Sequence, residues 1–294
     1  MNGTGENISV QVGDFEVIRL VDAIAPFPVP AEQAFPTVAA GEWERIRHQY
    51  ANSFYTPAVL VGQACCFLLR RPGETILIDT GLGANSALAG QATRHGQLLA
   101  CLAAAGAKPE SVDTVFLTHL HPDHVSWNIQ SVDGEQCPTF PNAGYIAPQV
   151  EWEMAQRLLA ENPERAGHLR EQLLPLQSRG VLSLISGETQ IADGVCAIAT
   201  PGHSPGHMSV LVEGDSGQGL LVAGDAFFHP LQVGGPDHAF AGDADAALAN
   251  RSRAQLLERI EAGDLLLTAA HFPAPGFGHV RQEKGGRVWR PWSA

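Results

Sequence analysis

Six consecutive residues, His119-Leu120-His121-Pro122-Asp123-His124, carry three imidazoles and a carboxylate directly after the apolar run Val112 to Leu117. Imidazole nitrogen and carboxylate oxygen are the donors that zinc and similar ions favour, so such a cluster at the end of a buried strand points to a metal site. His119 and His121 stand two apart, and extended backbone points their side chains the same way. Pro122 helps to set a turn, and Asp123 and His124 follow it. One pair can hold one ion and the next pair a second.

Two ions need more ligands than this segment supplies, which directs attention to His or Asp at downstream strand ends. Three candidates follow apolar runs: His203 in Thr200-Pro201-Gly202-His203-Ser204-Pro205-Gly206-His207, Asp225 after Leu220 to Gly224, and His271 after Leu265 to Ala270. With the first cluster they make seven ligands.

The chain has 294 residues, 45% of them hydrophobic, enough for a sizeable core in one domain spanning 1–294 or in a closely fused pair of halves. Its net charge of −13, with 18 Lys and Arg, argues against nucleic acid as a partner, because phosphate neutralisation needs clustered cations. The short basic stretch Arg45 to His48 reads as a helix face. No run approaches the ~20 apolar residues of a membrane span. Met1 to Asn7 lack a basic region followed by an apolar one, so a cytoplasmic protein without a secretory signal is expected. Cys65, Cys66, Cys101, Cys137 and Cys196 are odd in number and include no Cys-x-x-Cys pair, which fits reduced thiols, with all but Cys137 expected to be buried.

Apolar runs between glycine and proline turns predict strands in Ile8 to Val21, Ala58 to Ile78, Val112 to Leu117, Ala143 to Ala147 and a series from Val181 to Ala223. Helices are predicted over His95 to Gly106, Pro148 to Ala160, Pro163 to Arg179 in two pieces around Pro175, and Asp243 to Ala262. The last of these would be capped by Asp243 or its neighbour and ended by Gly263, ahead of a final core strand, Leu265 to Ala269. The tail 280–294 reads as a hairpin around Gly285-Gly286. Residues 26–57 hold six aromatic residues, Phe27, Phe35, Trp43, Tyr50, Phe54 and Tyr55, with a helix at Gly41 to Ala51. Such an arm could cover an active site, pack on a second subunit of a homodimer, or fold onto its own domain.

The order of these motifs resembles the metallo-beta-lactamase superfamily, and the loops after Asp225 and His271 are similar to those of its methyl parathion hydrolase and lactonase branch. The resemblance runs from about Val59 to His279 and implies an α/β fold, the four-layer αβ/βα sandwich. It implies one divalent ion on His119, His121 and His203, a second on Asp123, His124 and His271, and Asp225 bridging. Ile76-Leu77-Ile78-Asp79-Thr80-Gly81 matches the family's upstream acidic motif, with Asp79 supporting the ligands from behind. Zinc is the expected metal, although the same donors accept manganese, iron or cobalt.

The resemblance implies a binuclear metal-dependent hydrolase, an esterase, lactonase or phosphotriesterase acting on a small neutral ester, lactone or phosphotriester. Two ions about 3.5–4 Å apart can hold a hydroxide nucleophile and polarise the electrophile's oxygen. Asp123 and Asp225 are the expected catalytic carboxylates, Asp123 also orienting water or carrying a proton to the leaving group. Quorum-quenching lactonases of the superfamily carry a tyrosine three residues after the bridging Asp, where this chain has Phe228. Phe228, Phe272, Phe227, Phe277 and His229 are the candidate substrate-binding residues, and His207 and His279 candidate supports of the ligands. The alternatives within the fold are an iron-dependent redox enzyme of the persulfide dioxygenase kind and beta-lactamase or thioesterase activity. The flavo-diiron pattern puts Glu where this chain has His121.

Overall fold

Apolar runs punctuated by glycine, proline and Asp-Gly turns give strands in quick succession, and the longer helical periodicities fall between strands that must pair in parallel. The computed structural model describes residues 7–84, 95–214, 217, 219–235 and 237–293. Within it the strands are β1 (Ile8–Val12), β2 (Phe15–Pro30), β3 (Phe54–Thr56), β4 (Val59–Arg71), β5 (Glu74–Ile78), β6 (Thr114–Phe116), β7 (Ile129–Val132), β8 (Glu135–Pro138), β9 (Gly144–Pro148) and β10 (Leu182–Ile185). They continue with β11 (Thr189–Ala192), β12 (Val195–Ala199), β13 (Met208–Glu213), β14 (Gly219–Val222), β15 (Leu266–Thr268), β16 (Gly278–Glu283) and β17 (Gly286–Pro291). The α-helices are α1 (Ala31–Ala34), α2 (Trp43–Gln49), α3 (Leu98–Ala104), α4 (Pro122–Val125), α5 (Gln149–Glu161), α6 (Gly167–Gln172), α7 (Leu174–Ser178), α8 (Leu231–Gly234) and α9 (Ala246–Gly263).

An eight-stranded sheet runs β1-β2-β4-β5-β6-β9-β10 with β3 on β4, and a seven-stranded sheet runs from β11 to β17 in order. β5, β6, β9 and β10 pair in parallel, each connection carrying helix, as a parallel crossover requires. β14 and β15 are also parallel, and α9 makes their crossover. The β7–β8 hairpin, absent from the sequence reading, turns on Asp133-Gly134, both left-handed. That dipeptide is the usual signal of a two-residue hairpin turn, and it was missed because polar Gln130, Ser131, Glu135 and Gln136 dilute the apolar alternation. Among the described residues no helix is long and apolar enough to cross a membrane.

The chain divides into two compact units, one holding Gly5–Ile24 and Ala64–Gly187, the other Ala25–Gln63 and Glu188–Ala294. In the first unit, buried Leu77, Val115, Leu117 and Tyr145 from the sheet meet Trp152 and Ala155 of α5 and Leu169 and Leu173 beyond it. Asp22, fully buried in β2, organises the loops around that core. Its Oδ2 accepts the N–H of Leu82 (2.8 Å) and Gly83 (3.1 Å), and its Oδ1 accepts Leu98 N–H (2.8 Å) and Trp127 Nε1–H (3.0 Å). Gly81 is required beside it, because its φ is +73° and a Cβ would stand 2.6 Å from Asp22 Oδ2.

The core of the second unit gathers Leu221, Phe227, Phe272 and Trp289 with Phe35, Trp43, Ile46 and Tyr50 of the aromatic arm. The arm is therefore folded onto its own unit, and α2 buries Trp43 and Ile46 while Arg45 and His48 stay exposed. Asp245, and not Asp243, is the N-cap of α9, accepting Leu248 N–H at 2.9 Å. The helix ends at Gly263, and Asp264 takes the left-handed cap at φ +46°. All five cysteines are free; Cys65, Cys66 and Cys101 are buried, whereas Cys196, expected to be buried, is half-buried.

The Asp22 hub makes a stability prediction. Asp22→Ala strands four N–H groups and should cost about 3–5 kcal/mol, with Asp22→Asn losing about half as much. Urea unfolding of the whole chain measures both, and an unchanged midpoint in the alanine variant would refute the assignment.

Candidate metal centre

The donor loops all leave the carboxyl ends of strands: Asp79 after β5, the His119 to His124 cluster after β6, His203 after β12, Asp225 after β14 and His271 after β15. In the first unit Asp79 adopts φ +60°, a conformation that a non-glycine residue keeps only when its surroundings hold it there. The buried carboxylate accepts Thr118 N–H (2.8 Å), the Thr118 hydroxyl (2.9 Å) and His124 Nδ1–H (2.8 Å). Because the Thr118 hydroxyl donates to Asp79, its oxygen is left to accept His119 Nδ1–H at 3.1 Å. Both imidazoles therefore carry the proton on Nδ1 and present the Nε2 lone pair as ligand.

The His119 ring centre lies 4.0 Å from that of His124 and 4.5 Å from that of His121, a crowding that suits imidazoles gathered as donors to cations. Asp123 Oδ2 is 3.7 Å from His124 Nε2. The backbone between the first two histidines is held on both sides, Leu120 N–H by the fully buried carboxylate of Glu151 (3.2 Å) and Leu120 C=O by His168 Nε2 (3.2 Å). Burial pulls the His168 pKa down. The neutral ring suffices for this bond, donating through Nε2–H.

In the second unit the His203 loop lies against the start of α9. Ser252 donates to Pro201 C=O (2.6 Å), Ala244 N–H to His203 C=O (3.1 Å), and Gly202, at φ +137°, leaves no room for a Cβ against the Ala249 backbone. His203 Nδ1 faces Asp243 Oδ1 at 3.3 Å, and His271 Nδ1 donates to the Gln63 carbonyl. Their Nε2 atoms lie 3.3 Å and 3.0 Å from the same oxygen, Asp225 Oδ2. A carbonyl only accepts, so the His271 proton sits on Nδ1 and its Nε2 lone pair faces a carboxylate. Two acceptors so placed repel unless a cation lies between them, and a divalent ion fits this set of neutral imidazoles and carboxylate.

His207, a candidate support, is bonded through both ring nitrogens. Its Nε2 accepts Asp225 N–H (2.9 Å), and its Nδ1–H donates to Thr200 Oγ1 (2.8 Å). The substrate-facing expectation needs correction at four positions. Phe227, Phe272 and Phe277 are fully buried, and Phe272 packs edge-on against Trp289 within the core. His229 is locked by Leu231 N–H on Nδ1 (3.0 Å) and by Ser53 Oγ on Nε2 (2.7 Å), tying the arm to the loop after Asp225. Phe228 keeps a place beside a proposed ligand, its ring centre 4.2 Å from that of His271. His279, expected behind the ligands, instead lies in β16 between Leu266 and Arg290.

Several residues escaped the sequence reading. Phe240 stacks on Phe228 with ring centres 3.8 Å apart, and Phe27 meets Phe228 edge-on at 5.3 Å. Asp243, Thr118 and Gln63 hold imidazoles from behind. Thr118 was findable from its place between the strand and His119, but Gln63 acts through a backbone carbonyl, to which side-chain identity gives no clue.

All seven proposed ligands stand in groups of His and Asp donors able to hold a metal ion. A family model described as the metallo-beta-lactamase superfamily matches residues 59–271. The chain belongs to the metallo-beta-lactamase superfamily. An N-acyl homoserine lactonase of Bacillus cereus is 29% identical over 255 residues, covering 81% of this chain and 90% of the relative. The crystal structure of AbOPH, a hydrolase in the beta lactamase superfamily, superposes with TM-score 0.83 at 24% identity over 100% of this chain and 99% of the other. AidC, a dizinc quorum-quenching lactonase in complex with a homoserine product, gives TM-score 0.79 at 22% identity over 98% of each chain. The chain has the superfamily's α/β fold and is a metal-dependent hydrolase, and binuclear hydrolysis of a lactone fits it. The redox, beta-lactamase and thioesterase alternatives draw no support from these relatives.

Burial lowers the His229 pKa from an ordinary 6.5 to about 3. As pH falls below about 6.5 the unfolded chain takes up a proton that the folded His229 refuses, so this residue removes stability at about 1.4 kcal/mol per pH unit down to about 3. Unfolding free energies of the parent and His229→Gln across that window should differ in slope by one proton. Parallel curves would show that His229 is not held neutral.

Proposed function

We propose that this enzyme opens the ring of neutral lactones, N-acyl homoserine lactones foremost, with zinc as the ion used. One ion would be held by His119, His121 and His203 and the other by Asp123, His124 and His271, with Asp225 bridging. The observation that carries this reading is the Asp225 carboxylate facing the Nε2 atoms of both His203 and His271. The N-acyl homoserine lactonase relatives support the substrate class. When bound, the ions supply a polarised carbonyl and an activated water.

The chain's own residues do the rest. The half-buried Asp123, beside His124, is placed to orient the attacking water and to pass its proton to the leaving alkoxide. Phe228, Phe240 and Phe27 form an apolar wall beside His271, suited to an acyl chain. A net charge of −13 disfavours anionic substrates. Five free thiols accord with a reducing compartment, the cytoplasm. Phe228 itself favours a second reading, aryl esters and phosphotriesters, since it offers no hydroxyl to a lactone carbonyl and an aromatic face to an aryl leaving group.

Initial rates on acyl homoserine lactones, aryl esters and methyl phosphotriesters separate the two. Asp225→Ala should lose one of two ions by elemental analysis and nearly all hydrolysis; two retained ions with full rate would sink the binuclear assignment. Phe228→Tyr restores a donor for the carbonyl and should raise lactone kcat/KM about tenfold or more. A rate raised equally on phosphotriesters would count against a carbonyl-specific effect.

A further inference from the structure

A buried ion pair behind the second unit's ligands has no part in the function proposed above. Asp243 and Arg253 have side chains 0% exposed, joined at 3.2 Å and 3.3 Å from the two terminal guanidinium nitrogens to Asp243 Oδ2. Removing two charges from water is costly, and an apolar pair of equal volume is often as stable, so a buried pair of this kind needs a reason in geometry. Its contacts supply one. Asp243 Oδ1 faces His203 Nδ1 at 3.3 Å, and Oδ2 also accepts the N–H of Phe240 at 3.3 Å. Arg253, on α9, donates to the carbonyl of Ala226 at 3.2 Å, the residue next to Asp225, and is itself steadied by Asn250. One pair of side chains thus touches the ligand His203, the backbone beside the ligand Asp225, and the residue whose ring stacks on Phe228.

We infer that Asp243, braced by Arg253, is the positioning residue of this half of the centre, setting the tautomer and angle of His203, the course of the Asp225 loop and the place of the Phe240 ring. The inference rests on the metal assignment proposed above. A carboxylate on Nδ1 fixes the proton there, keeps Nε2 aimed as ligand and raises its basicity. Arg suits the brace better than Lys, because a planar fork can serve a carboxylate and a carbonyl together, whereas an ammonium is a single point. Capping of α9 by Asp245 is what leaves the Asp243 carboxylate available for this task.

The test is zinc affinity of the full chain, measured by competition with a chromogenic chelator after stripping, beside the melting temperature of the stripped protein and KM for a long-chain lactone. Asp243→Ala should weaken one of two ions about 10–100-fold and leave the other near its parent value. Asp243→Asn keeps an acceptor for His203 and should recover most of that loss, while Arg253→Lys should lose affinity with Asp243 intact. KM for the acyl substrate should rise with Asp243→Ala as the Phe240 ring shifts. Parent affinity for both ions in Asp243→Ala overturns the inference, even if the melting temperature falls, since the pair would then be a prop for the fold alone. Should the alanine variant fail to fold, Arg253→Lys with unchanged zinc affinity overturns it equally. A parent chain that binds no zinc overturns the metal assignment and this inference together, whereas a parent with two ions and lactone hydrolysis beside unaffected variants overturns only the positioning role.

Discussion

Within each unit the imidazoles proposed as ligands are gripped by Nδ1, the nitrogen opposite the one offered to a metal. His124 gives its Nδ1 proton to Asp79, His119 to Thr118 and His271 to the Gln63 carbonyl, while His203 turns Nδ1 to Asp243. Each contact fixes a tautomer, and a fixed tautomer is what makes Nε2 a ligand in place of a donor. Rings held in this way have little conformational freedom left, so binding of an ion at the proposed positions would cost little ordering entropy.

The fold exists to make that grip affordable. Each donor lies just past the carboxyl end of a strand, where the last ladder hydrogen bonds fix the backbone and the next residues are free to turn. One of these turns holds a costly geometry, Asp79 at φ +60°, and another needs glycine, Gly202 at φ +137°. Buried acceptors, Asp22 and Glu151 in one unit and Asp243 in the other, then tie those turns to strands and helices by hydrogen bonds that are strong because they are dry.

The aromatic arm belongs to the same design. His229 looks in sequence like a spare imidazole beside the site, yet its two nitrogens are used up joining Ser53 to the Leu231 backbone, within a nest of Phe35, Tyr50 and Phe54 rings. The arm thereby brings Phe27 against Phe228, and an apolar wall forms from residues about 200 apart in the chain.

Local sequence determined the candidate ligands. His119-Leu120-His121-Pro122-Asp123-His124 after a buried strand, Gly202-His203, Gly224-Asp225 and His271 are legible because donor type and strand-end position are properties of a few neighbouring residues. The parallel strands and most helices were legible for the same reason, their periodicity being local. Tertiary structure alone decided what stands behind and beside the ligands. Nothing in the sequence says that Asp243 leaves the cap of α9 to Asp245 and turns to His203, or that Gln63 lends a carbonyl to His271. Nor does it separate Phe228, which borders His271, from Phe227, which fills the core one residue away. Neighbouring side chains point to different faces, and which face meets core is fixed by elements far off in sequence, so outward grip and pocket wall appear only once the chain has packed.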